Sequence, residues 1–234
     1  MTTRSGERPA NCRRRLRNLL SFLLDVDPST HRRHLLFTSL DYVAVMPTET
    51  PTARRFRDAE EIIEHLRGLG ELGSVEANGF SELDHGLQTA AILREVAPGD
   101  VELQIAGLIH DLAHPWDGPG QPRHASMGAI AVRGVLGDRV ADLILSHVPA
   151  KRYLVTIREE YASILSPDSV MTLAAQGGPM NTEEVAAFEE SVDLQAMVDL
   201  RIADDGAKVP GKIVAPLSTY EDAIRQIASR HTAS

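Results

Sequence analysis

Residues 108–115 read LIHDLAHP, two histidines and an aspartate inside an apolar run. A buried charge is costly unless it is paired or bound to a metal, so this stretch demands a partner. On a helix His110 and His114 stand one turn apart and share a face, while Asp111 points about 100° away. Imidazoles and a carboxylate at such angles can address two metal ions, with the carboxylate bridging them. His85, His124 and His147 fall in the same part of the chain. Each alone reads as an ordinary core or surface histidine; with Asp111 they form a ligand inventory. Of the other four, His31, His34 and His231 lie in the terminal regions without obvious partners, and His65 reads as a surface or boundary residue.

The elements that must position these groups are all helical. FRDAEEIIEHLRGL (56–69) has apolar residues at helical spacing, closed by Gly68 and Gly70. A second helix spans 81–97, with Ser81 as N-cap and Pro98-Gly99 as its stop. The third, 100–114, is apolar nearly all round in its second half and must be central. WDGPGQP (116–122) is a loop. Helices follow over 124–136 and 138–155, the latter expected to bend or break at Pro149. A turn, a short helix and a Gly-Gly-Pro loop fill 165–181, and one or two closing helices fill 182–209. No segment alternates at period two, so the fold class is all-α, a helical bundle.

Composition sets the outer bounds. The chain has 234 residues, 43% hydrophobic but only 4% aromatic, so its core is aliphatic. The net charge of −9 argues against a nucleic-acid partner, and no apolar stretch is long enough to span a membrane. One cysteine, Cys12, excludes an internal disulfide and fits a reducing cytoplasm. Residues 1–45 carry eight Arg against four acids. NCRRRLRNLLSFLL (11–24) loosely mimics a signal peptide, but no small-residue cleavage site follows. Two readings stay open: an accessory amphipathic helix, or upstream sequence ahead of a true start at Met46. PTETPTA reads as a linker. The expected organisation is a basic extension and linker over 1–53, the functional domain over 54–215, and a C-terminal helix or tail over 216–234.

The order His85, His110-Asp111, Asp204 resembles the HD-domain metalloenzyme superfamily, whose fold is a helical bundle with metal at its centre. LDHGLQTA, LIHDLAHP, SHVPAKRYL, LSPDSVMTLAAQGGPM and LRIADDGAK sharpen the likeness. They resemble the oxygenase branch, the HD-domain phosphonate-cleaving dioxygenases, with inositol oxygenase a distant relative. The resemblance spans roughly residues 80–210. It implies a dinuclear centre held by His85, His110, Asp111, His124, His147 and Asp204, with Asp111 bridging. Asp204 is preferred to Asp205 because it stands four residues before Lys208, as in the family's D-x-x-x-K pattern; Asp205 is then a supporting or surface acid. The implied cofactor is two iron ions in a mixed-valent Fe(II)/Fe(III) state, with O2 as co-substrate, although the ligand set alone also accepts manganese or zinc. The phosphonate would be held by His114, Lys151, Ser169 and Arg201, a set suited to a dianion, and Gln176 would shape the pocket wall.

One departure stands out. Relatives that oxidise an amino-hydroxyphosphonate carry a Tyr and a Glu shortly before the first His ligand. Val75 and Asn78 stand at those offsets, and Glu76 and Glu82 are out of register. The loop between His114 and His124 is also short for the family. The resemblance implies O2-dependent cleavage of the C–P bond of a small α-hydroxyphosphonate to phosphate and a carboxylate. The same ligands would also serve a phosphohydrolase acting on a nucleotide or phosphomonoester, with metal-generated hydroxide. A non-catalytic HD module is the third reading; it could lose ligands, and here none is lost. Oligomeric state is not legible.

Overall fold

A computed structural model describes residues 54–72, 81–117 and 123–232. The described residues all belong to one compact unit, Thr52–Ser234. The expectations for 1–53 lie outside the described residues, as do Val75, Glu76, Asn78 and residues 118–122 of the expected loop. Among the described residues there is no strand, and no helix is long and apolar enough to cross a membrane.

Helix α1, Ala59–Glu71, begins three residues later than the periodicity suggests. Asp58 accepts a hydrogen bond from the Glu61 N–H and so fixes the start. Ile62, Ile63, Leu66 and Leu69 form its buried face. Helix α2, Glu82–Val96, starts with a capping box in which Ser81 and Asp84 satisfy each other's backbone N–H groups. Helix α3, Val101–Ile109, is capped by Asp100 and buried from Leu103 onward. α2 and α3 touch closely. A Cβ on Gly86 would lie 2.1 Å from the Leu108 carbonyl oxygen, so only glycine permits that approach.

The expected run to residue 114 is corrected: α3 stops at Ile109. The His110 ring donates from Nδ1 to the Gly107 carbonyl at 2.9 Å. That is the carbonyl the Asp111 N–H would use in a continuing helix. The chain goes on in tight turns closed by His114 N–H to Asp111 O and Trp116 N–H to Ala113 O, with a short 3-10 turn at His114–Trp116. His65 of α1 secures this turn. Its Nε2 meets the Leu112 carbonyl at 2.9 Å, and its ring lies against Phe56 and Trp116.

Helix α4, His124–Ile157, is broken at Gly137, whose φ of 84° favours glycine; this matches the two expected helices. Pro149 does not break the second half, where the backbone stays helical. A 3-10 segment, Glu159–Ile164, buries Tyr161. Helix α5, Pro167–Ala175, is capped by Ser166 and ends in Gly177 and Gly178, both in the left-handed region. Helices α6, Thr182–Glu189, and α7, Leu194–Gly206, complete the bundle. The C-terminal helix α8, Glu221–Thr232, packs on α1 and α4 through Ile224, Ile227 and Ala228. Helices α3 and α7 pack against each other and each against both α2 and α4 at the centre.

Candidate metal centre

Those four elements deliver the histidines and acids to one place. His85 comes from α2, His110 and Asp111 from the end of α3, His124 and His147 from α4, and Asp204 from α7. His85, His110, His124, His147 and Asp204 are all buried.

Their hydrogen bonds share one sense. Each imidazole turns Nδ1 outward: His85 to the Ala207 carbonyl, His110 to Gly107, His147 to Ile144, and His124 to the Asp117 carboxylate at 2.8 Å. A carbonyl can only accept, so His85, His110 and His147 carry their proton on Nδ1, and Nε2 points inward. This is the arrangement in which histidines bind metals.

The Nε2 atoms surround Asp111. Its Oδ2 lies 3.0 Å from His110 Nε2 and 3.5 Å from His85 Nε2. Its Oδ1 lies 3.6 Å from both His124 Nε2 and His147 Nε2. Asp204 Oδ1 completes the first side, 3.1 Å from His85 Nε2 and 3.7 Å from His110 Nε2. Neighbouring donors about 2.1 Å from one ion stand roughly 3 Å apart, so the spacings suit a cation on each side of the carboxylate. Within this cluster two buried atoms have no hydrogen-bond partner among the described residues: His110 Nε2 and Asp111 Oδ1, one on each side. An unsatisfied buried polar atom costs about 1–3 kcal/mol, which a bound cation would relieve. The donor set therefore fits metal.

The electrostatics also favour positive charge. Burial works against ionisation of Asp111 and Asp204, yet His110 beside the first and Arg201 beside the second hold both well below the usual carboxylate range. Burial keeps His147 well below the usual imidazole range, hence neutral and ready to ligate.

The expected anion-binding residues are adjacent. Lys151 is buried, with Nζ donating to Thr172 Oγ1 at 2.9 Å, and burial followed by Arg201 lowers it to about 8. Arg201 reaches Ser169 Oγ at 3.3 Å and Asp204 Oδ2 at 2.7 Å. His114 stands closer to the metal ligands than expected. It groups with Asp111 and His124 as a set able to hold an ion, its Nε2 3.8 Å from Asp111 Oδ1. Burial opposes its protonation, but Asp111 and then Glu82 outweigh it and raise His114 to about 9. Gln176 sits at the C-cap of α5 with Oε1 buried and unpartnered, and makes no hydrogen bond to the ligand group.

Glu82, Asp117 and Tyr161 escape the sequence or are discounted there, and Asp205 stands there between two roles. Glu82, out of register by spacing, accepts from His114 Nδ1 at 3.2 Å. Asp117 holds His124 and also accepts from the Arg123 and His124 N–H groups. Of the two roles expected for Asp205, its contacts match the supporting one: it pairs with Arg201 and accepts from the Tyr161 hydroxyl. Two of these have a sequence signal: Asp117, an acid just ahead of a helix that begins with a histidine, and Asp205, one turn after Arg201 on the same helix.

Known proteins resemble this chain. Residues 83–177 match the HD domain family. The hydroxymethylphosphonate dioxygenase of Gimesia maris is 33% identical over 177 residues, covering 67% of this chain and 85% of its own. The [1-hydroxy-2-(trimethylamino)ethyl]phosphonate dioxygenase (glycine-betaine-forming) of Leisingera caerulea is 32% identical over 133 residues, covering 53% and 67%. An uncharacterized protein of Acanthamoeba polyphaga mimivirus is 30% identical over 191 residues, covering 74% and 86%. On this sequence likeness and the bundle that carries it, the chain belongs to the HD-domain phosphonate dioxygenase family.

Proposed function

We propose that this protein is a di-iron oxygenase that cleaves the C–P bond of a small α-hydroxyphosphonate, giving phosphate and a carboxylate. The observation that carries the reading is Asp111, whose two oxygens face two separate groups of inward-turned imidazoles. The relatives' names support the substrate class, since both describe a phosphonate whose neighbouring carbon bears a hydroxyl.

His85, His110 and Asp204 would hold one iron, and His124 and His147 the other, with Asp111 shared. The metals would supply dioxygen activation and the redox change at the hydroxyl-bearing carbon. The reaction balances without an external reductant. One O2 accepts the four electrons released as hydroxymethylphosphonate becomes formate and phosphate, with one proton released to solvent.

The chain's own groups bind and orient. Lys151 and His114 offer positive charge, and Ser169 a hydroxyl, to the phosphonate oxygens. Arg201 ties this anion site to the metal ligands through its bond to Asp204 Oδ2. Burial of Lys151, Ser169 and Arg201 excludes bulk water and strengthens their pull on a dianion.

The test is phosphate release from hydroxymethylphosphonate by iron-loaded protein, in air and without oxygen. Release that requires oxygen and yields one formate per phosphate is expected. Release at the same rate under nitrogen would identify a hydrolase instead.

A further inference from the structure

Arg201 is 3% exposed and its guanidinium is nearly saturated by protein groups. Its Nε donates to the Tyr161 hydroxyl at 3.0 Å and to Asp205 Oδ2 at 3.2 Å. Its Nη2 donates to Asp205 Oδ1 and to Ser169 Oγ, and Nη1 to Asp204 Oδ2. A guanidinium has five N–H groups. These contacts leave one, on Nη1, for any substrate.

The usual grip of an arginine on a phosphonate is a two-pronged fork. Here the Nε/Nη2 edge that would form it is filled by Asp205. The Tyr161 hydroxyl closes the set, donating to Asp205 while accepting from Arg201. Tyr161 is itself buried, at 2% exposure, and comes from a separate 3-10 segment. The guanidinium plane is thus fixed from two sides, and its free N–H has one direction.

We propose that Tyr161 and Asp205 are positioning residues that hold Arg201 so that it meets the substrate's phosphonate through a single Nη1 N–H. This rests on the functional reading above. Asp205 occupies the arginine fork permanently and is not displaced by substrate. Selectivity for the dianion then falls to Lys151 and His114, while Arg201 sets orientation.

The test uses full-length iron-loaded protein, with methylphosphonate as an unreactive probe of the anion site and hydroxymethylphosphonate as substrate. Tyr161→Phe keeps the packing and removes the hydroxyl. It should weaken methylphosphonate binding about fivefold and raise KM alike, with kcat within about twofold and iron content unchanged. Asp205→Asn should weaken binding roughly tenfold or more, because charge-assisted bonds are lost. A purely structural role would lower Tm and leave KM alone.

Equal affinities for wild type and both variants would overturn the inference, as would loss of iron from either variant. Tighter binding by Asp205→Asn would also overturn it, since Asp205 would then compete with substrate for the guanidinium. A wild type that binds no methylphosphonate and releases no phosphate would overturn the functional reading, and this inference with it. Oxygen-dependent phosphate release with unaltered variants would overturn the inference alone.

Discussion

The two sides of Asp111 are built differently. On the Oδ2 side, His85 and His110 anchor Nδ1 on backbone carbonyls, and Asp204 adds a second carboxylate tied to Arg201. Every side chain there except Asp111 is at most 4% exposed. On the Oδ1 side no second ligand carboxylate stands among the described residues. His147 leans on a carbonyl, but His124 and His114 lean on the carboxylates of Asp117 and Glu82, and His114 is 22% exposed. One half is closed, charge-compensated and held by the bundle. The other is open on its His114 face and held by side chains from a loop and a helix start. On the proposed function, this asymmetry suits one fixed ion and one with room beside it for substrate.

Replacing the shared group should erase the distinction. Asp111→Asn is expected to abolish activity and leave less than one iron per chain by elemental analysis, since both sides lose their common ligand. Breaking one side at a time should separate the two halves. His85→Ala and His147→Ala are each expected to bind a single metal by calorimetric titration, with activity at background.

A milder change should touch the open half only. Asp117→Asn keeps the backbone caps but weakens the hold on His124. It should lower affinity for the second metal about 10- to 100-fold and leave the first unchanged in the same titration. Equal loss at both sites would mean that the two halves are not independent.

The smallest effect concerns the anion site. Lys151 is lowered to about 8, so its cation is fully present below that pH and is lost as pH rises through it. Phosphonate affinity should therefore decline above about pH 8, and Lys151→Met should flatten that limb of a binding-versus-pH series. Folding responds in the opposite sense. The folded state disfavours the charged lysine, so this residue adds stability as pH rises from about 8 toward the unfolded value.

The sequence revealed much of the closed half. Ser81 announces the α2 helix as its cap, and the apolar second half of the next helix marks it as central; these two helices deliver His85 and His110. The break at Gly137 was legible too. The end of α3 was not, because the His110 ring takes a carbonyl that periodicity assigns to the backbone. That unwinding is what swings His114 towards Asp111 and Glu82. Tyr161 stayed hidden for another reason. It serves Arg201 from a separate element 40 residues away, so only the folded chain brings it to the guanidinium, whereas Asp205 stands one turn after Arg201 on α7 and was legible as a supporting acid.

The central claim is that one carboxylate, Asp111, serves two irons at once. Electron paramagnetic resonance of the half-oxidised, iron-loaded protein tests it most directly. A spin-coupled mixed-valent signal accompanied by two irons per chain, and lost in Asp111→Asn, is the expected result. An isolated ferric signal with one iron per chain, unchanged by that substitution, would contradict it.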